Sequence, residues 1–239
     1  MKISRGPITI VAHRGGAGLF PENTMIAFRK SKELGADAIE CDIHATKDGN
    51  LVVIHDPDLK GTAGIDEFIS DLSLDEIRKI RLPSGEGIPE LESVLREIDM
   101  NFYVELKSPE TVEPLVRLFD ANPQFRKKCI IISFLHASLK LLKQKYPDLV
   151  VGALLPDSPD DSVSYAKSSG FTLLGFYFRN ITKDTVDQCH RGGILVNVWT
   201  ANTEEEISGA ISIGVDSITT DRPDLVMKAL GRQPNFGVQ

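Results

Sequence analysis

Cysteine is scarce. There are three in 239 residues, Cys41, Cys129 and Cys189, none in a C-x-x-C spacing. That excludes a disulfide framework, a thioredoxin-type redox pair and a zinc knuckle. Tryptophan occurs once, at 199, and no apolar run approaches the roughly 18 residues of a membrane-spanning helix. The apolar stretch near the N-terminus is interrupted at His13, too early for a secretory signal, so the expected compartment is the cytoplasm. Positive charge is also short: 27 Lys and Arg stand against 34 Asp and Glu, a net −7. No broad field draws in a phosphate backbone, which argues against a nucleic-acid partner. Low-complexity runs, charge blocks and Pro/Ser-rich linkers are missing too, so residues 1–239 are read as one domain.

What is present is an alternation of short apolar runs and amphipathic helical patterns. Candidate strands are 8–13, 38–43, 102–106, 129–133, 150–154, 172–177, 194–199 and 216–219. The last five begin 21 or 22 residues apart, the length of a strand, a helix and two short loops. Runs apolar on both faces and separated by helices indicate a parallel sheet. Helix ends are marked as well. Thr203-Glu204-Glu205-Glu206 has capping-box spacing before a stripe that stops at Gly214, and Ser73-Leu74-Asp75-Glu76 opens a helix similarly. Gly35 closes the first helix, with Asn23 or Thr24 as its cap, and Pro223 suits the first turn of the last. Eight strands, each followed by a helix, predict an α/β fold, a (β/α)₈ TIM barrel. A doubly wound open sheet has the same strand count.

One run breaks the alternation. Leu51-Val52-Val53-Ile54-His55 follows the second strand after only seven residues, among them the turn dipeptide Asp48-Gly49. A parallel crossover needs a dozen or more residues, so an extra hairpin strand is expected. If Thr46 pairs with Leu51, His55 falls opposite Asp42. A small insertion, about 57–90, then precedes the third barrel strand and is placed to cover a pocket mouth.

Glu40 and Asp42 are two apart in a strand and share a face, while Ile39, Cys41 and Ile43 take the other. Adjacent carboxylates in an apolar strand repel and are costly to desolvate. A bound cation relieves both costs. Glu105 and Lys107 repeat the pattern on the next barrel strand. Three carboxylates without Cys or His at zinc spacing suit a hard divalent ion, Mg²⁺ or Ca²⁺. The plainer alternative is a Glu–Lys salt bridge with the other acids solvated. His13 and Arg14 end the first strand, where barrel enzymes carry their chemistry. Two histidines beside a metal-held phosphate are what acid–base cleavage of a phosphodiester requires. Trp199, at the end of the seventh barrel strand, offers a ring as a pocket floor or as ordinary core.

His13-Arg14-Gly15, Pro21-Glu22-Asn23-Thr24, Ile39-Glu40-Cys41-Asp42, Thr46-Lys47-Asp48-Gly49, Val53-Ile54-His55-Asp56, Ile88-Pro89-Glu90-Leu91, Glu105-Leu106-Lys107, Trp199-Thr200-Ala201-Asn202 and Gly214-Val215-Asp216 with Thr220-Asp221-Arg222-Pro223 stand in one order. In that order the chain resembles the glycerophosphodiester phosphodiesterases, over roughly residues 8 to 228. The resemblance implies hydrolysis of a small glycerophosphodiester to sn-glycerol 3-phosphate and an alcohol with one divalent cation. It implies His13 and His55 as the acid–base pair and Glu40, Asp42 and Glu105 as metal ligands. Arg14 and Lys107 would contact the phosphate, and Trp199 would line the glycerol pocket. Related phospholipases suggest attack by a glycerol hydroxyl through a cyclic phosphate, with His13 the base and His55 the acid. A lysophospholipase D acting on lipid substrates would share these residues, and a non-catalytic glycerophosphodiester-binding barrel would keep the fold. One stretch departs: where many members carry Arg-Thr-Thr, this chain has Gly61-Thr62-Ala63, which bears on headgroup preference.

Overall fold

The computed structural model describes residues 6–158 and 160–235. Its strands are β1 (Thr9–Ala12), β2 (Ala38–Ala45), β3 (Leu51–Val53), β4 (Asn101–Leu106), β5 (Cys129–Ser133), β6 (Val150–Leu155), β7 (Leu173–Tyr177), β8 (Leu195–Trp199) and β9 (Ser217–Thr220). The longer helices are α1 (Met25–Leu34), α2 (Leu91–Glu97), α3 (Val112–Ala121), α4 (His136–Lys145), α5 (Ser162–Ser169), α6 (Lys183–Arg191), α7 (Glu204–Ile213) and α8 (Pro223–Ala229). All strands but β3 are parallel, in the ring order β1-β9-β8-β7-β6-β5-β4-β2, and β1 pairs with β2 to close it. Closure decides between the two sheet architectures: this is an eight-stranded (β/α)₈ barrel with one extra strand on β2. Among the described residues, no helix is long and apolar enough to cross a membrane.

Alternation along each strand divides the core. Ile39, Cys41 and Ile43 join the large apolar layer between barrel and helices, with Phe102, Val104, Ile131 and Val196. The interior face carries Val11, Ala38, Tyr103, Ile130, Ile132, Leu154 and Leu173. Glu40 and Asp42 lie on this interior face, each only 1% exposed. Fully burying one aliphatic side chain is worth about 1.5–3 kcal/mol, so the outward residues of β2 help offset the cost of its two buried acids.

Helix ends form where the residues call for them. Thr24 caps α1 by accepting from the Ala27 N–H, and Gly35 ends the helix in the left-handed region. Thr203 and Glu206 form the capping box of α7, which stops at Gly214. Ser73 and Glu76 also make a capping box, although the helix they open is the single turn Leu74–Ile77.

The extra strand alters one edge of the barrel. β2 pairs with β4 from Ala38 to Ile43, but with β1 only at Ala38 and Ile39. β1 then turns away, and β3 pairs antiparallel with the upper part of β2, Ile43 to Ala45. The insertion 57–90 packs on β3 around its own apolar cluster, which includes Val52, Ile54, Leu59, Ile69, Ile77 and Ile88.

Candidate active site

A cavity of about 160 Å³ opens at the C-terminal end of the barrel strands, and His13, Arg14, Glu40, His55, Glu105, Lys107 and Trp199 all line it. Asp42 lies buried beside them, its β2 position paired in register with Glu105 on β4. All eight residues singled out by the sequence therefore meet. No residue of the insertion lines this cavity, so the expected cover over the mouth is absent from its wall.

One carboxylate oxygen each from Glu40, Asp42 and Glu105 lies within 4.8 Å of the others. At that spacing two ionised carboxylates repel by roughly 3–4 kcal/mol for an effective dielectric near 20. Lys107 Nζ lies 2.9 Å from Glu105 Oε1 and 3.5 Å from Asp42 Oδ1, and Arg14 Nε lies 3.5 Å from Asp42 Oδ2. Asn23 Nδ2 donates to Asp42 Oδ2 at 2.9 Å. Yet Glu40 Oε1 and Asp42 Oδ1 are buried without a hydrogen-bond partner. Such orphan acceptors are costly, and a hard cation taking several oxygens is the group they fit.

Protonation follows the same forces. Burial first, then the charge on Asp42, pushes the Glu40 carboxyl up to about 8, with His13 opposing. Burial and the Asp42 charge also raise Glu105, with Lys107 opposing. For Asp42, burial acts upward, but Lys107, Arg14 and Asn23 outweigh it and hold the group below its usual range. Without a cation, Glu40 thus keeps a proton at neutral pH.

Each histidine is held by an acid through Nδ1. His13 Nδ1 lies 2.6 Å from Asp221 Oδ1, and its Nε2 lies 3.8 Å from Glu40 Oε2. Burial lowers the His13 pKa, but the Asp221 hydrogen bond and the charges of Glu40 and Asp221 raise it further, so the ring titrates above 6.5. Asn202 fixes Asp221 in turn, accepting from its main-chain N–H at 2.8 Å and donating from Nδ2 to Oδ2 at 2.6 Å. His55 Nδ1 lies 2.7 Å from Asp56 Oδ1.

Arg14 sits in the left-handed region at φ 49°, a conformation that costs a side chain of this size on the order of 1–3 kcal/mol. The turn makes its N–H donate to Glu40 Oε2 at 2.8 Å, while its guanidinium reaches Glu22 at 3.1 Å. Gly15 is needed for packing: its φ is +80°, and a Cβ there would stand 2.8 Å from the Ala27 Cβ.

Residues 13–225 match the sequence pattern of the glycerophosphoryl diester phosphodiesterase family. The chain belongs to that family of phosphoric diester hydrolases. It is 36% identical over 234 residues to a glycerophosphodiester phosphodiesterase of Caldanaerobacter subterraneus subsp. tengcongensis, covering 91% of this chain and 96% of that protein. The solved glycerophosphodiester phosphodiesterase of Parabacteroides distasonis superposes with a TM-score of 0.82 at 28% identity, over 95% of this chain and 98% of that one. A phosphodiesterase of Oleispira antarctica, solved with the product sn-glycerol-3-phosphate, reaches a TM-score of 0.86 at 22% identity, over 93% of this chain and 96% of that one. At that identity the likeness is one of fold.

Within this family member, the hairpin register corrects one expectation. Leu51 pairs with Ala45, not Thr46, and Val53 pairs with Ile43. The extra residue sits in the turn, where Thr46 N–H donates to Asn50 O and Gly49 N–H to Thr46 O. Continued regularly, that ladder puts His55 opposite Cys41, with its ring toward the helix layer. Instead the strand ends at Val53, and the break returns the ring to the cavity. β1 likewise ends at Ala12, so His13 opens a tight turn rather than closing the strand.

Sequence reasoning assigned no role to Asp221, Asp56 or Asn202 and read Asn23 only as a possible cap. Barrel closure was the missing signal for Asp221. Once Ala12 pairs with Thr220, the next residues, His13 and Asp221, are neighbours.

Proposed function

We propose that this chain hydrolyses glycerophosphodiesters to sn-glycerol 3-phosphate and an alcohol, with His13 and His55 as a general base and general acid. The observation that supports it is the single cavity in which two carboxylate-held histidines, two cations and three mutually close acids meet. Glu40, Asp42 and Glu105 would hold a divalent cation, Mg²⁺ or Ca²⁺, which when bound polarises and neutralises phosphoryl oxygen. Arg14 and Lys107 bind and orient the remaining anionic oxygens.

Because Asp221 and Asp56 engage the Nδ1 atoms, each imidazole presents Nε2 to substrate. His13 Nε2 takes the proton of the attacking glycerol hydroxyl as its oxygen bonds to phosphorus, and His55 Nε2 protonates the departing alkoxide. In the return step water gives a proton to His55 and attacks the cyclic phosphodiester. His13 returns its proton to the glycerol oxygen, and both rings recover their starting states. Trp199, with its ring 5.4 Å from that of Phe134 and 5.6 Å from that of Tyr177, forms the aromatic wall for the glycerol carbons.

The test is product release from glycerophosphocholine with Mg²⁺ or Ca²⁺, measured as glycerol 3-phosphate. Release in wild type and its loss by at least about 100-fold in His13→Ala and His55→Ala support the reading. Undiminished turnover in both variants refutes the histidine mechanism. Tight diester binding without turnover in either cation would make the protein a sensor instead.

A further inference from the structure

We infer that His44 is a positioning residue for the His55 side of the reaction, holding the main chain that carries the proton donor. The inference rests on the reading of His55 as general acid. Its basis is the way the hairpin fails. The last main-chain bond along this edge of β2 runs from Ile54 N–H to Asp42 O at 3.1 Å. Beyond it the ladder stops, and His55 adopts the non-strand course that turns its ring into the cavity. Its carbonyl is taken instead by a side chain: His44 Nε2 lies 3.0 Å from His55 O. A carbonyl oxygen only accepts, so this contact requires the proton on Nε2 of His44.

The choice of residue follows from the geometry of β2. Positions 40, 42 and 44 share one face, so the two buried acids and His44 form a single row along one strand. His44 is itself only 6% exposed, and its main chain is paired with Val52 across the hairpin. Strand β2 thereby fixes at once the spacing between the acids and the main chain of His55. The ring of His55 is one-third exposed and held laterally by the half-exposed Asp56. The bond from His44 is thus a buried attachment of this segment, one residue beyond the Ile54 main-chain bond. An ionised carboxylate could not replace it, because it has no proton to donate to a carbonyl.

The experiment compares two substrates in the intact enzyme with its cation. Glycerophosphocholine has an alkoxide leaving group that needs a proton, whereas a glycerol phospho-p-nitrophenyl ester releases p-nitrophenolate, which departs without one. His44→Leu is expected to lower kcat on glycerophosphocholine roughly 10- to 100-fold, as for a displaced catalytic group. KM on that substrate and the first-turnover release of p-nitrophenolate, which precedes the His55-assisted return step, should stay within about threefold. His44→Gln, whose side-chain amide can reach the same carbonyl, is expected to retain most of the glycerophosphocholine rate. His44→Asn, one methylene shorter, is not.

Equal losses on the two substrates, or equal behaviour of Gln and Asn, overturn the inference. If His44→Leu does not fold, the Gln and Asn pair decides. If His55→Ala slows first-turnover release of the leaving group from both substrates alike, the acid role falls, and the ring NMR signals of His55 in the position-44 variants decide the positioning alone. Shifted signals in the Asn variant and unshifted ones in the Gln variant support it, and identical spectra overturn it.

Discussion

Replacing Asp221 should do more harm with asparagine than with alanine. The main-chain N–H of Asp221 occupies Asn202 Oδ1, so the Asn202 amide group must donate from Nδ2 to Asp221 Oδ2. In Asp221→Asn the new amide oxygen meets that donor, and its NH₂ faces His13 Nδ1. The ring must then accept on Nδ1 and carry its proton on Nε2, the atom that has to receive one. Alanine imposes no tautomer and removes only a charge-assisted hydrogen bond, worth about 1.5–3 kcal/mol, or roughly 10- to 150-fold in rate. A forced tautomer in a comparable acid–histidine pair costs on the order of 10⁴. We expect kcat/KM on glycerophosphocholine to fall about 10- to 150-fold in Asp221→Ala and at least about 10³-fold in Asp221→Asn. In wild type the acid limb of the pH profile is expected above 6.5, because the Asp221 bond and the nearby negative charges outweigh the opposing effect of burial. In Asp221→Ala that limb moves to lower pH. An asparagine variant as active as the alanine one, or an unmoved limb, refutes the reasoning.

Three other outcomes follow from the acid cluster and the insertion. Glu40 is protonated in the folded chain up to about pH 8 but ionised in the unfolded chain above about 4.5. The cation-free protein should therefore lose thermal stability as pH rises from about 5.5 to 8. Saturating Mg²⁺ or Ca²⁺ should raise Tm by about 5–10 °C, more at pH 8 than at 5.5, and a flat or opposite trend in calorimetry contradicts the Glu40 assignment. Glu40→Gln cannot ionise, so the cation-free Tm should hold at pH 5.5 and rise at pH 8, while the cation-induced shift disappears and turnover drops at least about 100-fold. A retained shift would place the ion elsewhere. A Cβ at Gly61 would stand 3.3 Å from Asp56 Oδ2, so Gly61→Arg crowds that carboxylate and adds a positive charge within side-chain reach of it. It should reduce the kcat/KM ratio of glycerophosphocholine to glycerophosphoglycerol severalfold, and an unchanged ratio would mean the leaving alcohol does not feel this position.

Much of the site was legible because it obeys the periodicity of two. Glu40, Asp42, Glu105 and Lys107 could be placed from strand alternation alone, and the helix ends at Thr24, Gly35, Thr203 and Gly214 from local capping chemistry. What escaped depended on long-range pairing or on irregular backbone. Asp221 lies 208 positions from His13 and becomes its neighbour only when the first and last strands join. The His55 register slipped by one residue because the turn closes on Thr46 and Asn50 rather than on a tighter loop. Asn23 reads as a helix cap, yet it occupies the left-handed region at φ 55° and spends its amide on Asp42. No local pattern distinguishes those two uses of one asparagine.

The apolar cluster under the insertion has a consequence for how such a protein diversifies. Because Leu59, Ile69, Ile77 and Ile88 pack among themselves and against β3 rather than into the barrel, this segment can exchange residues without the barrel having to repack. Changes there and changes around the acids should combine additively in stability. Should Gly61→Arg shift the alcohol ratio, that selectivity and the chemistry at phosphorus can drift on separate evolutionary clocks.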